Sequence, residues 1–232
     1  MAIADNVAEI RERIAAAALR SGRAADDVVL MGVSKTFPVA AMREAYSAGI
    51  RVFGENRVQE FSEKAQLLRD LPQVEWRLIG HLQSNKASKA AELFHAVDAV
   101  DSMRMAERLN AAAAARDKNL GILIEINIGG EEAKAGLYPE APELDEILRA
   151  APRLTHLHIQ GLMTIPPFAA NPEDARPYFR KLRELRDVTT ARLLPGVELG
   201  VLSMGMSHDF EIAIEEGSTC VRVGTAMFGG RR

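Results

Sequence analysis

The chain has 232 residues, of which 47% are hydrophobic and 26% charged, and these are ordinary values for one globular domain with its own core. This composition excludes a disordered or fibrous protein, and a net charge of −3 gives no long-range attraction for nucleic acid or anionic membranes. A single cysteine, Cys220, excludes an intramolecular disulfide framework. We therefore expect one domain over residues 1–232, acting as a monomer on a small-molecule partner.

The N-terminal segment MAIADNVAEIRERI lacks the pattern of a secretory signal. It carries acids where a signal peptide carries basic residues followed by an apolar run. The longest apolar stretches of the chain also fall well short of the ~20 residues that span a bilayer. We expect a cytoplasmic protein without a membrane partner.

Short apolar or β-branched runs alternate with amphipathic helical patterns along the chain, after a leading helix near Asp5–Arg20. The predicted strands are Val28–Ser34, Arg51–Phe53, Glu75–Gly80, Ala96–Val100, Gly121–Asn127, Thr155–Leu162, Val197–Leu202 and Thr219–Val223. The predicted helices between them are Val39–Ala48, Arg57–Arg69, Lys86–Leu93, Met103–Arg116, Glu143–Ala150, Glu173–Thr190 and Phe210–Glu216. Eight such units in a chain of this length predict an α/β fold, a (β/α)8 TIM-type barrel with an extra N-terminal helix.

The alternative fold is an open, doubly wound sheet. Its dinucleotide-binding form places a G-x-G-x-x-G turn after the first strand. The chain instead has Gly32-Val33-Ser34-Lys35 at this point. The barrel is therefore the preferred interpretation.

Lys35 ends the first predicted strand, which is otherwise apolar. Strand alternation places Lys35 on the face of Met31 and Val33, toward the barrel mouth, where burial favours the neutral amine. A neutral lysine amine condenses with carbonyl compounds, so Lys35 is a candidate Schiff-base residue. The alternative is a lysine that caps the strand end in water, and position alone leaves both interpretations open.

The loops after the seventh and eighth strands form a candidate phosphate site. The first loop reads Ser203-Met204-Gly205-Met206-Ser207, and the second opens with Gly224-Thr225. Barrels of this type often bind phosphate with the backbone amides of these two loops, and Gly224 lets the backbone approach an anion. Each residue alone is more typical of a turn or a helix cap, and Ser207 is predicted to cap the following helix. The coincidence of both loops favours phosphate.

Arg222 on the eighth strand is predicted to point into the barrel mouth. A buried guanidinium needs an acceptor, because an unpaired buried charge is very costly. The acceptor would be either a ligand or an acid such as Asp101.

Three other groups of charged residues have structural interpretations. His156 and His158 have no third ligand at strand spacing and are predicted to pack, so no metal is predicted. His81 ends the third strand, where it either lines the ligand cavity or closes a hydrogen bond to the backbone; the second interpretation is preferred and His81 is left out of the site. The solvated face of one helix is predicted to carry Arg176, Arg180, Lys181 and Arg183.

Six segments of the chain also carry a family resemblance, and they occur in the family's order. They are Val33–Thr36, Phe53–Glu60, Trp76–Lys86, Gly161–Thr164, Leu202–Ser207 and Arg222–Thr225. These segments closely resemble the pyridoxal phosphate homeostasis proteins, whose fold is similar to the N-terminal barrel of alanine racemase. The resemblance runs from about Val28 to Gly229 and implies pyridoxal 5′-phosphate (PLP) as the cofactor.

The resemblance also implies a role for each candidate residue. Lys35 would form an internal aldimine with the cofactor, Asn56 would lie beside its ring, and Arg222 would face the pyridine nitrogen. The phosphate would be held by Ser203, Ser207, Gly224 and Thr225. Because an arginine keeps its proton, the ring nitrogen would stay unprotonated, which weakens the ring as an electron sink.

Two departures from alanine racemase bear on catalysis. The racemase has a further β-domain that supplies a catalytic tyrosine, whereas this sequence ends directly after the predicted barrel. The turn Thr36-Phe37-Pro38 also lacks the tyrosine that racemases place on the phosphate. The chain's own tyrosines, on or beside helical segments, are predicted to pack. They are Tyr46, Tyr138 and Tyr178.

The leading hypothesis is a protein that holds PLP and maintains or delivers it within the cell, with amino acids and apo PLP enzymes as further partners. The main alternative is a single-domain PLP-dependent amino-acid racemase or a related enzyme that uses His81 or a bound water. A third hypothesis is a barrel lyase that uses Lys35 on a phosphorylated sugar. The sequence leaves open whether the protein is a carrier, a store or a regulator.

Overall fold

Eight parallel strands form the centre of the computed structural model, which describes residues 2–131 and 134–230. The strands are β1 (Val29–Val33), β2 (Val52–Glu55), β3 (Glu75–Leu78), β4 (Ala96–Val100), β5 (Leu120–Glu125), β6 (Leu157–Met163), β7 (Val197–Met206) and β8 (Cys220–Val223). Each strand pairs with the next in chain order, and β1 pairs with β8, so the sheet closes. The predicted barrel is confirmed.

Helices surround the barrel and connect its strands. They are α1 (Ile3–Arg20), α2 (Val39–Ser47), α3 (Val58–Gln66), α4 (Ala87–Leu93), α5 (Met103–Ala114), α6 (Pro142–Ala150), α7 (Arg176–Thr190), α8 (Phe210–Glu215) and α9 (Thr225–Phe228). Short 3-10 turns lie at Ala25–Asp27, Ser84–Lys86, Ala151–Arg153 and Pro172–Ala175. The extra N-terminal helix is present as α1, whereas the sequence pattern did not predict the four-residue α9.

The main core lies between the helices and the outer face of the barrel. In α1 the buried side chains Val7, Ile10 and Ile14 recur at helical spacing and form one apolar face. Under α3 the ring centroid of Phe61 lies 4.9 Å from Trp76 and 4.8 Å from Phe94. These contacts fix α3 and α4 against the strands and thereby fix the strand ends.

A second, smaller cluster of Ala99, Leu123 and Met163 is separate from the main core. Because side chains alternate between the two faces of a barrel strand, we place this cluster inside the barrel. Alternation then directs Asp101 and Glu125, two residues further along the chain, toward the carboxyl-terminal opening. The barrel interior is therefore apolar at its centre and charged at this opening.

The strand β7 extends beyond its predicted end at Leu202 and runs on to Met206. Its pairing with β8 shifts register between Ser203 and Met206. Gly205 adopts a φ of +93°, and a Cβ there would lie 2.6 Å from Ala213, so only glycine fits this bend. Ser203 consequently lies within the strand and not in the predicted loop.

Within the described residues, no helix combines the length and the apolar character that crossing a bilayer requires.

Candidate functional site

A cavity of about 300 Å³ opens at the carboxyl-terminal end of the barrel, where enzymes of this fold carry their sites. It brings together six of the seven predicted site residues. These are Lys35, Asn56, Ser207, Arg222, Gly224 and Thr225. Val33 lines the same cavity as Lys35, as strand alternation predicts.

Arg222 lies on β8 and is only 3% exposed. Its Nη1 donates hydrogen bonds to the carbonyl oxygen of Ser203 at 2.6 Å and to the Oγ of Ser203 at 2.8 Å. Its Nη2 donates to the carbonyl oxygen of Thr164 at 2.8 Å. All three acceptors are neutral, and burial lowers the pKa of Arg222. The guanidinium is therefore held beside the cavity by neutral groups. Among the described residues, the acids that act on its charge, Asp98, Glu125 and Asp209, do so without a hydrogen bond to it.

The alternative acceptor predicted for Arg222, the acid Asp101, has a different partner. Its carboxylate lies 3.3 Å from the Nδ1 of His81. The prediction that His81 closes a hydrogen bond to the backbone is therefore wrong, because the acid at the end of the neighbouring strand lies within its reach.

Ser203 is the predicted site residue that does not line the cavity. It is fully buried, and its Oγ accepts a hydrogen bond from Arg222. In this position Ser203 orients the guanidinium. Its predicted contact with phosphate stays a prediction, since Ser203 does not line the cavity.

Ser207 joins the two predicted phosphate loops. Its Oγ accepts a hydrogen bond from the backbone N–H of Ala226, in the first turn of α9, at 3.3 Å. The prediction that Ser207 caps α8 is wrong, because Asp209 occupies the N-cap position and its Oδ1 accepts from the Met206 N–H at 2.7 Å. The hydroxyl therefore lies between the loops, beside Gly224 and Thr225.

An apolar wall, which was not predicted from the sequence, completes the cavity. Its side chains are Val33, Phe37, Ile79, Ile165, Phe168 and Met206. Phe168 is 86% exposed at the rim, and its ring centroid lies 5.8 Å from that of His208, which also lines the cavity. The apolar, proline-containing run Ile165-Pro166-Pro167-Phe168 after the sixth strand was the available signal.

Glu125 is a second functional candidate that was not predicted from the sequence. It ends β5 and is 8% exposed, and its carboxylate makes no hydrogen bond or ion pair with any residue the structure describes. Burial, followed by the negative charge of Asp101, raises the pKa of Glu125 to about 7. The opening of the barrel therefore carries a carboxyl that titrates near neutral pH.

The charge run on α7 is not simply a solvated face. Arg176, Arg180 and Arg183 all form ion pairs with Glu216, whose side chain is 6% exposed, at 3.0 to 3.2 Å. Arg180 is exposed as predicted, whereas Arg176 and Arg183 are half-buried beside Glu216, so the predicted solvated face is wrong for these two. These ion pairs connect α7 to the end of α8.

The predicted packing residues lie away from the cavity. The Nδ1 of His156 lies 3.3 Å from the carbonyl oxygen of Lys118. His158 is exposed on β6, so the prediction that it packs is wrong. The hydroxyl of Tyr46 donates to the carbonyl oxygen of Pro72 at 3.3 Å. Tyr138 is 40% exposed, so the prediction that it packs is wrong. In the part of the chain that the structure describes, no three His, Cys, Asp or Glu side chains are grouped as metal ligands would be.

The chain matches the family model described as alanine racemase, N-terminal domain, over residues 2–232. It is 46% identical over 228 residues to the pyridoxal phosphate homeostasis protein of Aquifex aeolicus, covering 98% of both chains. These matches decide the family. The chain belongs to the pyridoxal phosphate homeostasis proteins, which share the alanine racemase N-terminal domain.

Solved structures agree with this family and its fold. PipY of Synechococcus elongatus, in a structure with PLP bound, is 40% identical with a TM-score of 0.81, and the match covers 95% of this chain and 100% of PipY. An alanine racemase of Clostridium difficile is only 16% identical, with a TM-score of 0.71. The match covers 98% of this homeostasis-family chain and 57% of the racemase, and it shows the shared fold alone.

Proposed function

We propose that this protein binds PLP in the cavity at the carboxyl-terminal end of the barrel and maintains or delivers the cofactor in the cytoplasm. The observation that carries this proposal is the convergence of a lysine amine, a buried arginine and two phosphate-type loops on one cavity. The family names and the PLP-bound PipY structure support the same cofactor. We further propose that residues 1–232 act as a single domain.

The side chains around the cavity fit the chemical groups of PLP. Lys35 supplies the primary amine that an aldehyde needs for covalent attachment. Ser207, Gly224 and Thr225 supply a hydroxyl and backbone positions where two loops meet, which suits a phosphate. A volume of about 300 Å³ is at the lower end of the range for small-molecule sites, and the apolar wall suits the faces of a ring.

When bound, PLP supplies an electron-withdrawing ring, and the protein sets how strongly that ring acts. Arg222 is always protonated and fixed by Ser203 and Thr164, so toward a ring nitrogen it can only donate. A residue that only donates leaves the nitrogen without a proton of its own. This arrangement favours holding the cofactor over activating it.

Borohydride reduction followed by peptide mapping tests the cofactor site. We expect the reduced pyridoxyl group on Lys35, and we expect Lys35→Ala to abolish the visible absorption of the protein incubated with PLP. Lys89→Ala is the matched control, since Lys89 lies on α4 in an exposed ion pair with Glu92. Label on Lys86 or Lys89, or colourless wild-type protein after reconstitution, would overturn the proposed site.

Delivery is tested by transfer of PLP from the loaded protein to an apo PLP enzyme in the presence of a trap for free aldehyde. Trap-resistant transfer supports delivery, and transfer that the trap abolishes supports storage and release. Amino acids are the proposed small-molecule partners, because their amines can compete with Lys35 for the aldehyde.

Catalysis on amino acids is tested by deuterium wash-in at Cα of alanine and serine. We expect exchange far slower than in a dedicated enzyme, because a missing positioned acid–base group costs ~10²–10⁴ in rate. Rapid, stereochemically clean exchange on one amino acid would instead establish a racemase-type enzyme. Glu125→Gln would then show whether the carboxyl at the barrel opening supplies the base.

A further inference from the structure

Lys35 occupies a tight turn between β1 and α2. The N–H of Phe37 donates to the carbonyl oxygen of Ser34 at 3.1 Å, which makes Lys35 and Thr36 the two central residues of the turn. Thr36 has a φ of +69°. The second central position with positive φ normally selects glycine or asparagine, and a β-branched residue there is strained. Something outside the turn must therefore hold Thr36 in this conformation.

Glu60, in the first turn of α3, holds the Thr36 side of the turn. Its Oε1 accepts a hydrogen bond from the backbone N–H of Thr36 at 2.7 Å and another from the Nζ of Lys64, also at 2.7 Å. A bond from an amide to a carboxylate is charge-assisted and stronger than a neutral one. Although burial alone raises the pKa of Glu60, the bonds from Lys64 and Thr36 outweigh it and lower that pKa, so the carboxylate stays charged.

Lys64 and Glu55 hold the Ser34 side of the turn. The Nζ of Lys64 donates to the carbonyl oxygen of Ser34 at 3.1 Å and lies 3.2 Å from the Oε1 of Glu55. The same Oε1 accepts from the Oγ of Ser34 at 2.7 Å, and both Ser34 and Glu55 are fully buried. Burial raises the pKa of Glu55, while the charge of Lys64 and the hydroxyl of Ser34 oppose that rise.

None of these three charged side chains lines the cavity that Lys35 lines. Their contacts go instead to the residues on either side of Lys35. Buried ion pairs contribute little net stability compared with apolar packing, so stability alone is a weak reason for such a network. A network that fixes both neighbours of one lysine suits a positioning role.

We propose that Glu55, Glu60 and Lys64 are positioning residues for Lys35, because they fix the strained turn that carries its amine into the cavity. The inference rests on the proposed function in that the positioned group is the amine that binds the aldehyde. Glu60 is the most exposed member and acts on the strained residue directly. Glu60 is therefore the residue that we substitute to test the proposal.

The experiment compares Glu60→Gln, Thr36→Gly and the double variant with wild type. Gln keeps the size of Glu60 but removes the charge, and glycine adopts positive φ without strain. We expect Glu60→Gln to slow covalent attachment of PLP at Lys35 by about tenfold, since small misplacements of reacting groups have effects of this order or larger. Thr36→Gly alone should keep the wild-type rate, and the double variant should recover most of the loss.

A second readout separates this inference from the proposed function. Reductive methylation by formaldehyde and cyanoborohydride, mapped at Lys35 by mass spectrometry across pH 6 to 9, measures the amine without PLP. We expect Glu60→Gln to change the Lys35 profile and Thr36→Gly to restore it. Failure of wild type to attach PLP, with this pattern intact, would refute the cofactor proposal and leave the positioning role standing.

Glu92→Gln is the matched control, because it removes an exposed carboxylate from the 2.6 Å ion pair with Lys89 on α4. Urea unfolding of every variant identifies losses that come from unfolding. Unchanged Lys35 reactivity in folded Glu60→Gln would overturn the positioning role. The positioning role would also be overturned if the double variant attached PLP as slowly as Glu60→Gln, or if Thr36→Gly alone did so. Either result means that Glu60 does not act by holding the turn.

Discussion

Two arginines are buried inside the same barrel, and their surroundings are opposite. Near the amino-terminal opening, Arg77 binds both oxygens of Asp98 at 2.7 to 3.0 Å and Glu75 at 2.6 Å. Near the carboxyl-terminal opening, Arg222 is held by neutral oxygens alone. Burial lowers the pKa of both, but in Arg77 the charge and hydrogen bonds of Asp98 outweigh it and raise the pKa.

The carboxyls of the two ends differ in the same way. Asp98 is fully buried and bonded to Arg77, whereas Glu125 is nearly buried and its carboxylate makes no hydrogen bond within the described residues. The end that carries Arg77 and Asp98 is therefore matched in charge. At the other end, where a ligand can bind, Arg222 and Glu125 have no charged hydrogen-bond partner among the described residues and are unmatched. Barrels of this fold commonly carry functional residues at the carboxyl-terminal face and stabilising residues at the amino-terminal face.

Arg77→Met should remove the ion pair with Asp98 at the matched end. It leaves Asp98 as a buried carboxylate without its partner, and we expect a loss of about 3–5 kcal/mol in the free energy of unfolding. Urea denaturation measures this loss. Affinity for PLP should be unchanged in the protein that remains folded.

Arg222→Met is the matched comparison. It should lower the free energy of unfolding by only about 1–2 kcal/mol, because the hydrogen bonds it removes go to neutral acceptors. It should alter the absorption spectrum of the PLP-loaded protein. Equal stability losses in the two variants would break the comparison between the two ends.

Glu125→Gln tests the unmatched end through the pH dependence of the free energy of unfolding. The pKa of Glu125 is about 7 in the folded protein and 4.5 in the unfolded reference, so the folded state binds more protons between these values. Stability contributed by the protonated carboxyl is therefore present below pH 4.5 and is lost as pH rises through about 7. Above pH 7 the Gln variant should be more stable than wild type by about 3 kcal/mol, with no difference near pH 4. Parallel stability curves across this range would contradict the prediction.

Ser207→Ala should have the smallest effect on the free energy of unfolding, because its effect on ligand binding is confined to the unmatched end. A hydroxyl that donates to a phosphate contributes about 1.5–3 kcal/mol, so PLP should bind roughly 10- to 100-fold more weakly while unphosphorylated pyridoxal is unaffected. Ser203→Ala is the control, since Ser203 contacts Arg222 and does not line the cavity. It should weaken both ligands alike. A selective loss of PLP binding in Ser203→Ala would show instead that Ser203 also reaches the phosphate.

The barrel and the position of Lys35 followed from local patterns. Apolar runs separated by amphipathic helices gave the strand order, and a polar residue at the end of an apolar strand must lie at the barrel opening. For the same reason Arg222, Gly224 and Thr225 were placed beside Lys35 although they lie far away in sequence. Regular alternation carries this information without any tertiary detail.

The pairing of charges could not be predicted in this way. Glu55 and Lys64 meet Ser34 only because β1, β2 and α3 pack together. The register shift in β7 moved Ser203 from a loop into the barrel wall. Arg77 and Asp98 look like ordinary charged residues in the sequence, because only barrel closure excludes water from them.

Closure of the sheet also governs how the chain reaches its folded state. Val29 in the first strand pairs with Cys220 in the last, a contact between distant parts of the sequence that is slow to form. Until β8 has been synthesised, β1 and β7 are exposed edges that can pair with other chains. The strand that seals both edges also carries Arg222. A nascent chain therefore completes its binding site in the same event that covers its two exposed strand edges.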